Sequence, residues 1–278
     1  MANISRRAAL QGAGVCTAGI VAPGLASQLV NDKTAEHNRG LKIVAVGAHP
    51  DDPESSCGGT IARYSDLGHQ VVVVYLTRGE AGIPGKSKSE AALIRSAEVQ
   101  RACAILKARP VFVGQVDAHA EITDKHYQEF RSIVEGEKPD VVFAPWPIDS
   151  HRDHRAASLL TYDAWEKSGK GFELSYTEVD LGGQTNNFQP TDFVDISSVV
   201  ERKKQACFAH ESQNPPSFYV RYHEPMQRFR GLEHGCQVAE AFVRGFRAQS
   251  AVVFPDDRAA NGWSFKPLCR SLWTTTCS

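Results

Sequence analysis

Two short segments far apart in the chain carry side chains that can bind a metal ion and move protons. Residues 49–52 read His-Pro-Asp-Asp, and residues 151–154 read His-Arg-Asp-His. A catalytic zinc usually takes three protein ligands from imidazoles and carboxylates and leaves its fourth position to water. His49, Asp52 and His154 supply that number of ligands. The sequence therefore predicts a hydrolytic metal site.

Three further side chains in these segments are suited to orienting or accepting a proton. Asp51 is the carboxylate nearest in sequence to the predicted ligands, so it could take the proton from a water. His151 and His154 lie at i and i+3 in the first turn of a predicted helix, which places both imidazoles on one face. Asp153 could then hold the His151 ring in one orientation.

Both segments directly follow an apolar run that predicts a buried strand. Residues 43–48 form a short run rich in β-branched side chains, and Pro50 ends it. Residues 140–144 form a second run, which Pro145 ends. Open α/β sheets bind their ligands beyond the carboxyl ends of the strands. We therefore expect the two segments to lie close together.

Strands and helices alternate along the rest of the chain. Further strands are predicted over residues 70–76, 111–113 and 172–179, and helices over residues 57–67, from Ser87 to about Lys107, from Asp124, and over residues 154–167. Ser87 and Glu90 form a capping box for the second helix. Successive β-α-β units require right-handed crossovers. The pattern predicts an α/β fold, a three-layer, Rossmann-like arrangement with a mainly parallel sheet and helices on both faces.

A dinucleotide-binding function is the first alternative for such a fold. That function requires Gly-x-Gly-x-x-Gly after the first strand. The chain has His-Pro-Asp-Asp there, and its two carboxylates would repel a pyrophosphate. The sequence therefore disfavours nucleotide binding.

The motifs together resemble a known family. Residues 48–60, which read AHPDDPESSCGGT, resemble the signature loop of the PIG-L or LmbE-like N-acetylglucosaminyl deacetylases. Residues 76–82 and 95–98 resemble the loop and helix that line the family's substrate pocket, residues 151–154 resemble its second histidine motif, and residues 204–213 are similar to a family helix. The resemblance extends roughly from residue 41 to residue 246.

The resemblance implies a zinc-dependent hydrolase that removes the N-acetyl group from an N-acetylglucosamine-type amino sugar or glycoconjugate. It implies one Zn²⁺ per chain, held by His49, Asp52 and His154. Fe²⁺ or Co²⁺ would also suit two imidazoles and one carboxylate. A non-catalytic glycan-binding relative of the family is the alternative, and bound zinc without acetate release would support it.

The resemblance also implies the catalytic roles. Asp51 is the general base that takes the proton of a water activated by the metal. His151, oriented by Asp153, is the protonated partner that stabilises the oxyanion and helps the amine to leave. Some family members place a tyrosine shortly before the second motif, whereas residues 146–150 of this chain contain none. The group that completes the oxyanion hole is therefore left open.

Several residues around these motifs are candidates for contact with the substrate. By the resemblance Arg95 contacts the sugar, although a helix ion pair with Glu98 is the alternative. The glycine-rich loop of residues 77–88 is a candidate wall over the sugar, and the segment after Val179 is a candidate for choosing the substrate. His210 is predicted to be a structural residue at a helix end rather than a ligand.

The N-terminal residues indicate export. Ser5-Arg6-Arg7 precedes an uncharged stretch rich in alanine and glycine, and residues 24–26 read Gly-Leu-Ala, a small-x-small cleavage pattern. Residues 1–26 thus resemble a twin-arginine export signal, which predicts a periplasmic or extracellular protein. The stretch is too short and too weakly apolar for a stable membrane span. We assign residues 27–40 to a linker, 41–250 to the deacetylase domain and 251–278 to a C-terminal extension.

The net charge and the cysteine content limit the classes of molecule that the protein is expected to bind and indicate the state of its thiols. Without the arginine pair the chain has 29 basic residues against 32 acidic ones, a net charge of minus 3, and no basic run appears. This balance does not favour nucleic acid as a partner. Cys57, Cys103 and Cys207 are predicted to be core thiols, while Cys269 and Cys277 could form a disulfide after export. An amino sugar or glycan is the expected partner, and the oligomeric state is left open.

Overall fold

The computed structural model describes residues 40–179 and 183–246. The predicted export signal (residues 1–26), nearly all of the predicted linker and the C-terminal extension (residues 251–278) lie outside the described residues. The same is true of the proposed disulfide between Cys269 and Cys277. The described residues therefore cover nearly all of the predicted deacetylase domain and little else.

One mixed sheet runs through the described residues. Its seven strands are β1 (Lys42–Gly47), β2 (Gln70–Tyr75), β3 (Arg109–Phe112), β4 (Val141–Pro145), β5 (Glu173–Thr177), β6 (Asp192–Asp195) and β7 (Ala239–Phe246). Their order is β3-β2-β1-β4-β5-β7-β6. Strands β1 to β5 are mutually parallel, and β7 pairs antiparallel with both β5 and β6. The predicted α/β fold with a mainly parallel sheet is confirmed.

The helices start and end close to the predicted positions, with two differences. They are α1 (Asp52–Asp66), α2 (Lys88–Leu106), α3 (Asp124–Glu137), α4 (Arg152–Lys167), α5 (Val200–Phe208), α6 (Pro215–Phe218) and α7 (Glu224–His234), with a 3₁₀ turn at Glu211–Gln213 and a π-helical turn at Tyr219–His223. Helix α1 begins at Asp52, before its predicted start, because Pro53 fits a first helical turn, and it kinks at Cys57. The predicted helix over residues 204–213 stops at Phe208 and continues as the 3₁₀ turn.

Apolar side chains cover both faces of the sheet. Along β1, Ile43 and Ala45 belong to one core cluster, with residues of α1, α2 and α5. Val44 and Val46 belong to a second cluster, with residues of α3 and α4. Because alternate residues of a strand point to opposite faces, this division places helices on both sides of the sheet. The predicted three-layer arrangement is confirmed.

The order of the strands reverses between β1 and β4. From β1 the chain proceeds through β2 and β3 to one edge, and from β4 it proceeds to β5 on the other side. Such a reversal leaves a crevice at the carboxyl ends of the two central strands. His49 follows β1 and His151 follows β4, so both motif segments border this crevice.

Cysteine burial and helix hydropathy agree with a packed domain. Cys57, Cys103 and Cys207 are buried free thiols, which confirms the prediction that they belong to the core. Among residues 40–179 and 183–246, no helix combines the length and the apolar character that crossing a bilayer would require.

Candidate metal centre and catalytic cleft

The loop between β1 and α1 closes on the carboxylate of Asp52. Asp52 Oδ2 accepts hydrogen bonds from the backbone N–H of Ala48 at 2.9 Å and of His49 at 2.8 Å. Gly47 allows this fold-back, because a Cβ at that position would lie 2.5 Å from the ring of Pro53. The loop therefore fixes one carboxylate oxygen beside the end of β1.

The two predicted histidine ligands both lie close to that oxygen. Asp52 Oδ2 lies 3.4 Å from His49 Nδ1 and 3.3 Å from His154 Nε2. All three residues are more than nine-tenths buried. Two imidazoles and one carboxylate that share a point in a buried crevice match the ligand set of a catalytic zinc.

His151 joins the two other histidines at this point. It is the N-cap residue of α4, and its ring centroid lies 4.7 Å from that of His49 and 4.9 Å from that of His154. One ring nitrogen from each of the three histidines lies within 4.8 Å of the others. The prediction that His151 and His154 share a face of the helix is thus confirmed.

Carboxylates contact the outer nitrogen of each predicted histidine ligand. His49 Nε2 lies 3.1 Å from Asp117 Oδ1 and 3.3 Å from Asp153 Oδ2. His154 Nδ1 lies 2.9 Å from Asp149 Oδ2. When the outer nitrogen carries the proton and donates to a carboxylate, the inner nitrogen keeps its lone pair for an ion. The residues present therefore fit a bound divalent cation.

Asp153 does not occupy the position expected from the sequence. Its carboxylate contacts His49 and accepts hydrogen bonds from the backbone N–H of Ala118 at 2.7 Å and of Ala120 at 3.3 Å. The His151 ring is instead held through Nδ1, which accepts the backbone N–H of Asp153 at 3.3 Å. The expectation that the Asp153 carboxylate orients His151 is corrected, because the fully buried side chain points from the first turn of α4 towards His49.

Asp117 and Asp149 are not singled out by the sequence motifs. Asp117 lies in the loop after β3, at the same edge of the sheet as His49, and Asp149 lies between β4 and His151. A search for carboxylates after every predicted parallel strand would have found both. Their contacts with His49 and His154 could not be read from sequence spacing.

The proximity of acids and histidines shifts their pKa values in opposite directions. Burial opposes the charged form of His49, yet the carboxylates of Asp117, Asp153 and Asp52 raise its pKa well above the usual value. Burial likewise opposes the charged form of His154, but Asp52 and Asp149 raise its pKa to about 9. The crevice thus stabilises positive charge strongly.

The carboxylates of the crevice respond in the complementary way. Burial would raise the pKa of Asp52, but His154 and His49 hold it well below the usual value. Burial also opposes ionisation of Asp117 and Asp153, and the hydrogen bond of each to His49 is the main cause of their lowered pKa. These acids therefore stay ionised at neutral pH.

Asp51 lies beside the ligands in a different environment. Its φ of 97° is in the left-handed region, which is uncommon for a residue with a side chain, and such strain is often found at functional sites. Burial raises the pKa of Asp51, the Arg95 guanidinium opposes that rise, and the negative charge of Asp52 adds to it. A carboxylate with a raised pKa next to a metal site is suited to general-base catalysis.

Arg95 holds the Asp51 loop in place. Its Nη2 donates to Asp51 Oδ2 at 2.8 Å and to the carbonyl oxygen of Pro50. Gly79 and Gly82 pack closely against the guanidinium, and a Cβ on either would collide with it. Arg95 borders the cleft, as expected for a substrate contact.

The alternative partner of Arg95, Glu98, is used elsewhere. Its two carboxylate oxygens accept hydrogen bonds from the backbone N–H of Ser212 at 2.7 Å and from the Ser212 hydroxyl at 2.8 Å. The alternative of a helix ion pair between Arg95 and Glu98 is therefore wrong. The Ser212 contact also explains why the chain leaves the helical path after Phe208.

These residues border one cleft with a volume of about 450 Å³. Its lining contains the histidines and several of the carboxylates already described. It also contains the side chains of Pro215, Phe218, Tyr219 and His223, together with Ala81, Gly82 and Gln184. A largely preformed cleft with an apolar wall and a few convergent polar groups is typical of a small-molecule site.

His210 is anchored at the back of this cleft. It is buried, and its Nε2 lies 3.2 Å from Glu54 Oε1, which also accepts the hydroxyl of Tyr75 at 2.6 Å. Burial opposes the charged form of His210, and Glu54 raises its pKa. The residue therefore has a structural partner, in agreement with the sequence interpretation, and it also borders the cleft.

Comparisons with known proteins agree on one family. Residues 44–165 match the PIG-L family, described as GlcNAc-PI de-N-acetylase. The diacetylchitobiose deacetylase of Thermococcus kodakarensis is 30% identical over an alignment of 220 residues, and the match covers 74% of this chain and 82% of the relative. Among solved structures, the conserved protein TT1542 of Thermus thermophilus superposes with a TM-score of 0.64 at 28% identity, covering 77% of this chain and all of that one.

A second solved structure shares the fold at lower identity. The N,N'-diacetylchitobiose deacetylase of Pyrococcus horikoshii has a TM-score of 0.65 at 24% identity, covering 81% of this chain and 93% of that one. At this identity the likeness is one of fold. The matched family region contains both motif segments of the metal centre.

Proposed function

The chain belongs to the PIG-L family of de-N-acetylases, and on this premise we propose that it is a metal-dependent hydrolase of the N-acetyl group of an N-acetylglucosamine-type glycan. One observation carries the proposal. Asp52 Oδ2 lies 3.4 Å from His49 Nδ1 and 3.3 Å from His154 Nε2, and the half-buried Asp51, whose φ is in the left-handed region, is its neighbour in the chain. This arrangement supports the assignment of a ligand set and a base to one cleft.

His49, Asp52 and His154 are the residues that would hold the ion. When bound, a divalent cation would polarise the amide carbonyl and lower the pKa of a water. Zn²⁺ suits the set best, and Fe²⁺ or Co²⁺ could replace it. Asp117, Asp153 and Asp149 keep the histidines oriented by accepting their outer N–H groups.

Asp51 is the proposed general base. Arg95 holds its carboxylate, and the raised pKa brings its proton affinity closer to what the removal of a proton from water requires. Asp51 contacts Arg95 whereas Asp52 contacts His49 and His154, so one carboxylate can bind the ion while the other accepts the proton.

His151 is the proposed oxyanion donor. Its Nδ1 accepts the backbone N–H of Asp153, so the neutral ring carries its proton on Nε2. Burial and the nearby positive charges of His49 and His154 lower the pKa of His151. The neutral ring can therefore donate a hydrogen bond from Nε2, whereas the family resemblance implies a protonated His151.

The substrate class follows from the cleft and the family. The cleft lining combines the aromatic side chains of Phe218 and Tyr219 with the polar side chains of Arg95 and Asp117, which suits the apolar and hydroxyl surfaces of a sugar ring. The name of the Thermococcus relative specifies diacetylchitobiose for that protein, which supports a glycan substrate here. The arginine pair at residues 6 and 7 supports the further proposal that the protein acts outside the cytoplasm.

Acetate release from a panel of N-acetylated sugars, with metal analysis of the same sample, tests the proposal. We expect one ion per chain, acetate release from at least one N-acetylglucosaminyl glycan and loss of this activity on chelation. Bound metal and bound glycan without acetate would instead support the glycan-binding alternative. A protein that binds no divalent ion would overturn the proposal.

A further inference from the structure

We propose that Asp149 is a positioning residue that joins the predicted ligand His154 to the loop of residues 183–187, so that this loop and a bound ion stabilise each other. The inference rests on the proposed function, because it takes His154 to be a metal ligand. It assigns a role to a residue that neither motif contains, and it connects the ion to the rim of the cleft.

Asp149 organises the second motif from its N-terminal side. Its Oδ2 lies 2.9 Å from His154 Nδ1, and its Oδ1 accepts the backbone N–H of His151 at 2.7 Å. The residue is only 3% exposed. Because Nδ1–H donates to this carboxylate, Nε2 is the nitrogen of His154 that faces Asp52 and that would bind an ion there.

Main-chain hydrogen bonds attach the loop of residues 183–187 to the same segment. The backbone N–H of Ser150 donates to the carbonyl of Gln184 at 3.0 Å, and that of Asn186 donates to the carbonyl of Ile148 at 2.9 Å. Asp149 and Thr185 thereby form an isolated antiparallel bridge. The position of Asp149 is therefore set jointly by β4 and by this loop.

Trp146 gives the loop a further attachment. Its indole Nε1–H donates to the carbonyl of Asn186 at 2.8 Å, and its ring packs edge-on against those of Tyr176 and Phe188. The carbonyls of residues 184 and 186 thus both accept hydrogen bonds from the segment between β4 and the second motif. These hydrogen bonds make the loop of residues 183–187 an integral part of the site.

Gln184 makes the connection to the cleft. Its Nε2 donates to Asp149 Oδ2 at 3.4 Å and lies 3.1 Å from His154 Nδ1, while the residue borders the cleft. His154 and Gln184 thus both reach the same carboxylate oxygen. A glycan that displaces or orders the Gln184 side chain changes the partner of Asp149, and hence the environment of the metal ligand.

Such a coupling must be reciprocal. If the ordered loop strengthens metal binding, then metal binding must stabilise the loop by the same free energy. Two independent measurements can therefore detect it, one on the ion and one on the loop, and neither requires turnover.

The first measurement is the zinc affinity of Asp149→Asn, obtained by competition with a chelator. Loss of an outer partner of a metal-bound histidine typically weakens metal binding about 10- to 100-fold, and we expect that range. The cobalt(II) form should also show a shifted visible spectrum, because the direction of the His154 ring changes. Asp163 lies on the same helix as His154 and forms an ion pair with Arg131 of α3. Asp163→Asn is therefore the matched control and should retain wild-type affinity.

Gln184→Ala gives the smaller test of the same connection. It removes one donor to Asp149 but keeps the main-chain bonds of the loop, so we expect zinc binding to weaken by only about 2- to 5-fold, the range of one modest hydrogen bond. Asn187→Gly is the matched control, because residue 187 is exposed and has a positive φ that glycine tolerates.

The second measurement is hydrogen exchange of the wild-type chain with and without zinc. We expect zinc to protect the amides of Ser150 and Asn186, whose hydrogen bonds attach the loop. Protection confined to residues 48–52 and 151–154 would overturn the inference, as would wild-type zinc affinity in Asp149→Asn. If that variant does not fold, exchange and Gln184→Ala still decide the question. Absence of zinc binding in the wild type would instead contradict the proposed function.

Discussion

Two buried clusters of charged side chains lie in this domain, and they differ in how their charges balance. In the cluster beside β7, Lys203 Nζ lies 2.7 Å from Glu240 Oε1. Arg230 forms two hydrogen bonds to Glu178, of 2.6 and 2.7 Å. Each of these buried carboxylates faces a side chain with a permanent positive charge.

The cluster at the ends of β1 and β4 has an excess of acids. Its carboxylates are those of Asp51, Asp52, Asp117, Asp149 and Asp153. Among the described residues, Arg95 lies 2.8 Å from the Asp51 carboxylate and the exposed Arg152 lies 3.7 Å from that of Asp153, while Arg155 donates to the main-chain carbonyl of Asp149. The remaining positive charge comes from histidines, which can exchange a proton for a metal ion.

This difference in charge balance indicates which cluster has a structural role and which could bind a cation. A buried charge is costly unless it is paired, so a self-neutralised cluster can remain as a fixed part of the core. A cluster that relies on titratable histidines for balance is suited to take up a cation. The cluster beside β7 is therefore interpreted as structural, and the other as the metal centre.

Changing Asp51 should produce the largest effect, because it removes one acid of the anionic cluster without removing a ligand. We expect Asp51→Asn to lose about 10²- to 10⁴-fold in turnover, the contribution of a general base. The zinc content and the free energy of unfolding should change little. Deacetylation rates and metal analysis of the same preparation measure this.

Asp66→Asn is the matched control for that experiment. Asp66 lies at the end of the same helix and pairs with Arg202 and Lys107 at the surface. It should retain full turnover. Full turnover in Asp51→Asn would remove Asp51 from the role of base, and a loss of zinc would reassign it as a ligand.

Lys203→Met should produce the next largest effect, on stability rather than on chemistry. Glu240 also accepts the backbone N–H groups of Gly59 and Thr60, so it would stay buried without its cation. Removal of one partner from a buried pair typically costs about 3–5 kcal/mol in the free energy of unfolding. Denaturant unfolding of the metal-free protein measures this loss.

The double variant Lys203→Met/Glu240→Gln tests whether charge balance is the cause. It restores neutrality, so it should recover part of the lost stability. The zinc affinity of the folded protein should be that of the wild type in both variants. If Lys203→Met were as stable as the wild type, the contrast between the two clusters would not hold.

The sequence predicts those features of the two clusters that depend on neighbouring residues in the chain. His49, Asp52 and His154 are identifiable because each follows an apolar strand, and parallel strands that flank a reversal of strand order bring their carboxyl ends together. Ser87 and Glu90 form the predicted capping box, with both reciprocal hydrogen bonds present. These features depend on neighbours in the chain, so residue type and spacing are sufficient.

The part that the sequence does not predict depends on distant contacts. Asp117 from the loop after β3 and Asp153 from the first turn of α4 meet at His49, and Glu240 reaches the N–H groups of α1 from β7. Strand β6 reads Asp-Phe-Val-Asp, so two acids interrupt its apolar pattern, and its partner β7 lies far along the chain. The partner of a carboxylate is a property of the folded chain, which spacing alone does not encode.

The pH dependence of metal binding sharpens the contrast further. In the metal-free protein, the pKa of His49 is raised well above its usual value and that of His154 to about 9, so both carry a proton at pH 7. Both must lose that proton to bind an ion. We therefore expect about two protons to be released per ion at pH 7, and the affinity to fall by up to about 100-fold per unit of decreasing pH.

Titration calorimetry in buffers of different ionisation enthalpy counts these protons. The acids of the cluster contribute little to the slope near pH 7, because the pKa values of Asp52, Asp117 and Asp153 are lowered. Metal binding without proton release would mean that the histidines are not the ligands. The cluster at the ends of β1 and β4 would then not differ from the cluster beside β7 in its ability to exchange protons for a metal ion.

Arg95→Lys should produce the smallest effect, on the acid limb of the pH–rate profile. Arg95 lowers the pKa of Asp51, which burial raises, and a lysine cannot donate to both Asp51 and the carbonyl of Pro50 in the same geometry. The pKa of Asp51 should therefore rise. Because the base acts only when ionised, the acid limb should move to higher pH, by less than about one unit, while the rate at its plateau changes less.

The profile of kcat/KM against pH separates this effect from a loss of sugar binding. Arg131→Lys, at the surface pair with Asp163, is the control and should leave the limb unmoved. A limb that moves to lower pH, or not at all, would mean that Arg95 does not set the ionisation of Asp51. The guanidinium would then belong with Arg230 as a structural cation, and the metal centre would contain one permanently paired acid.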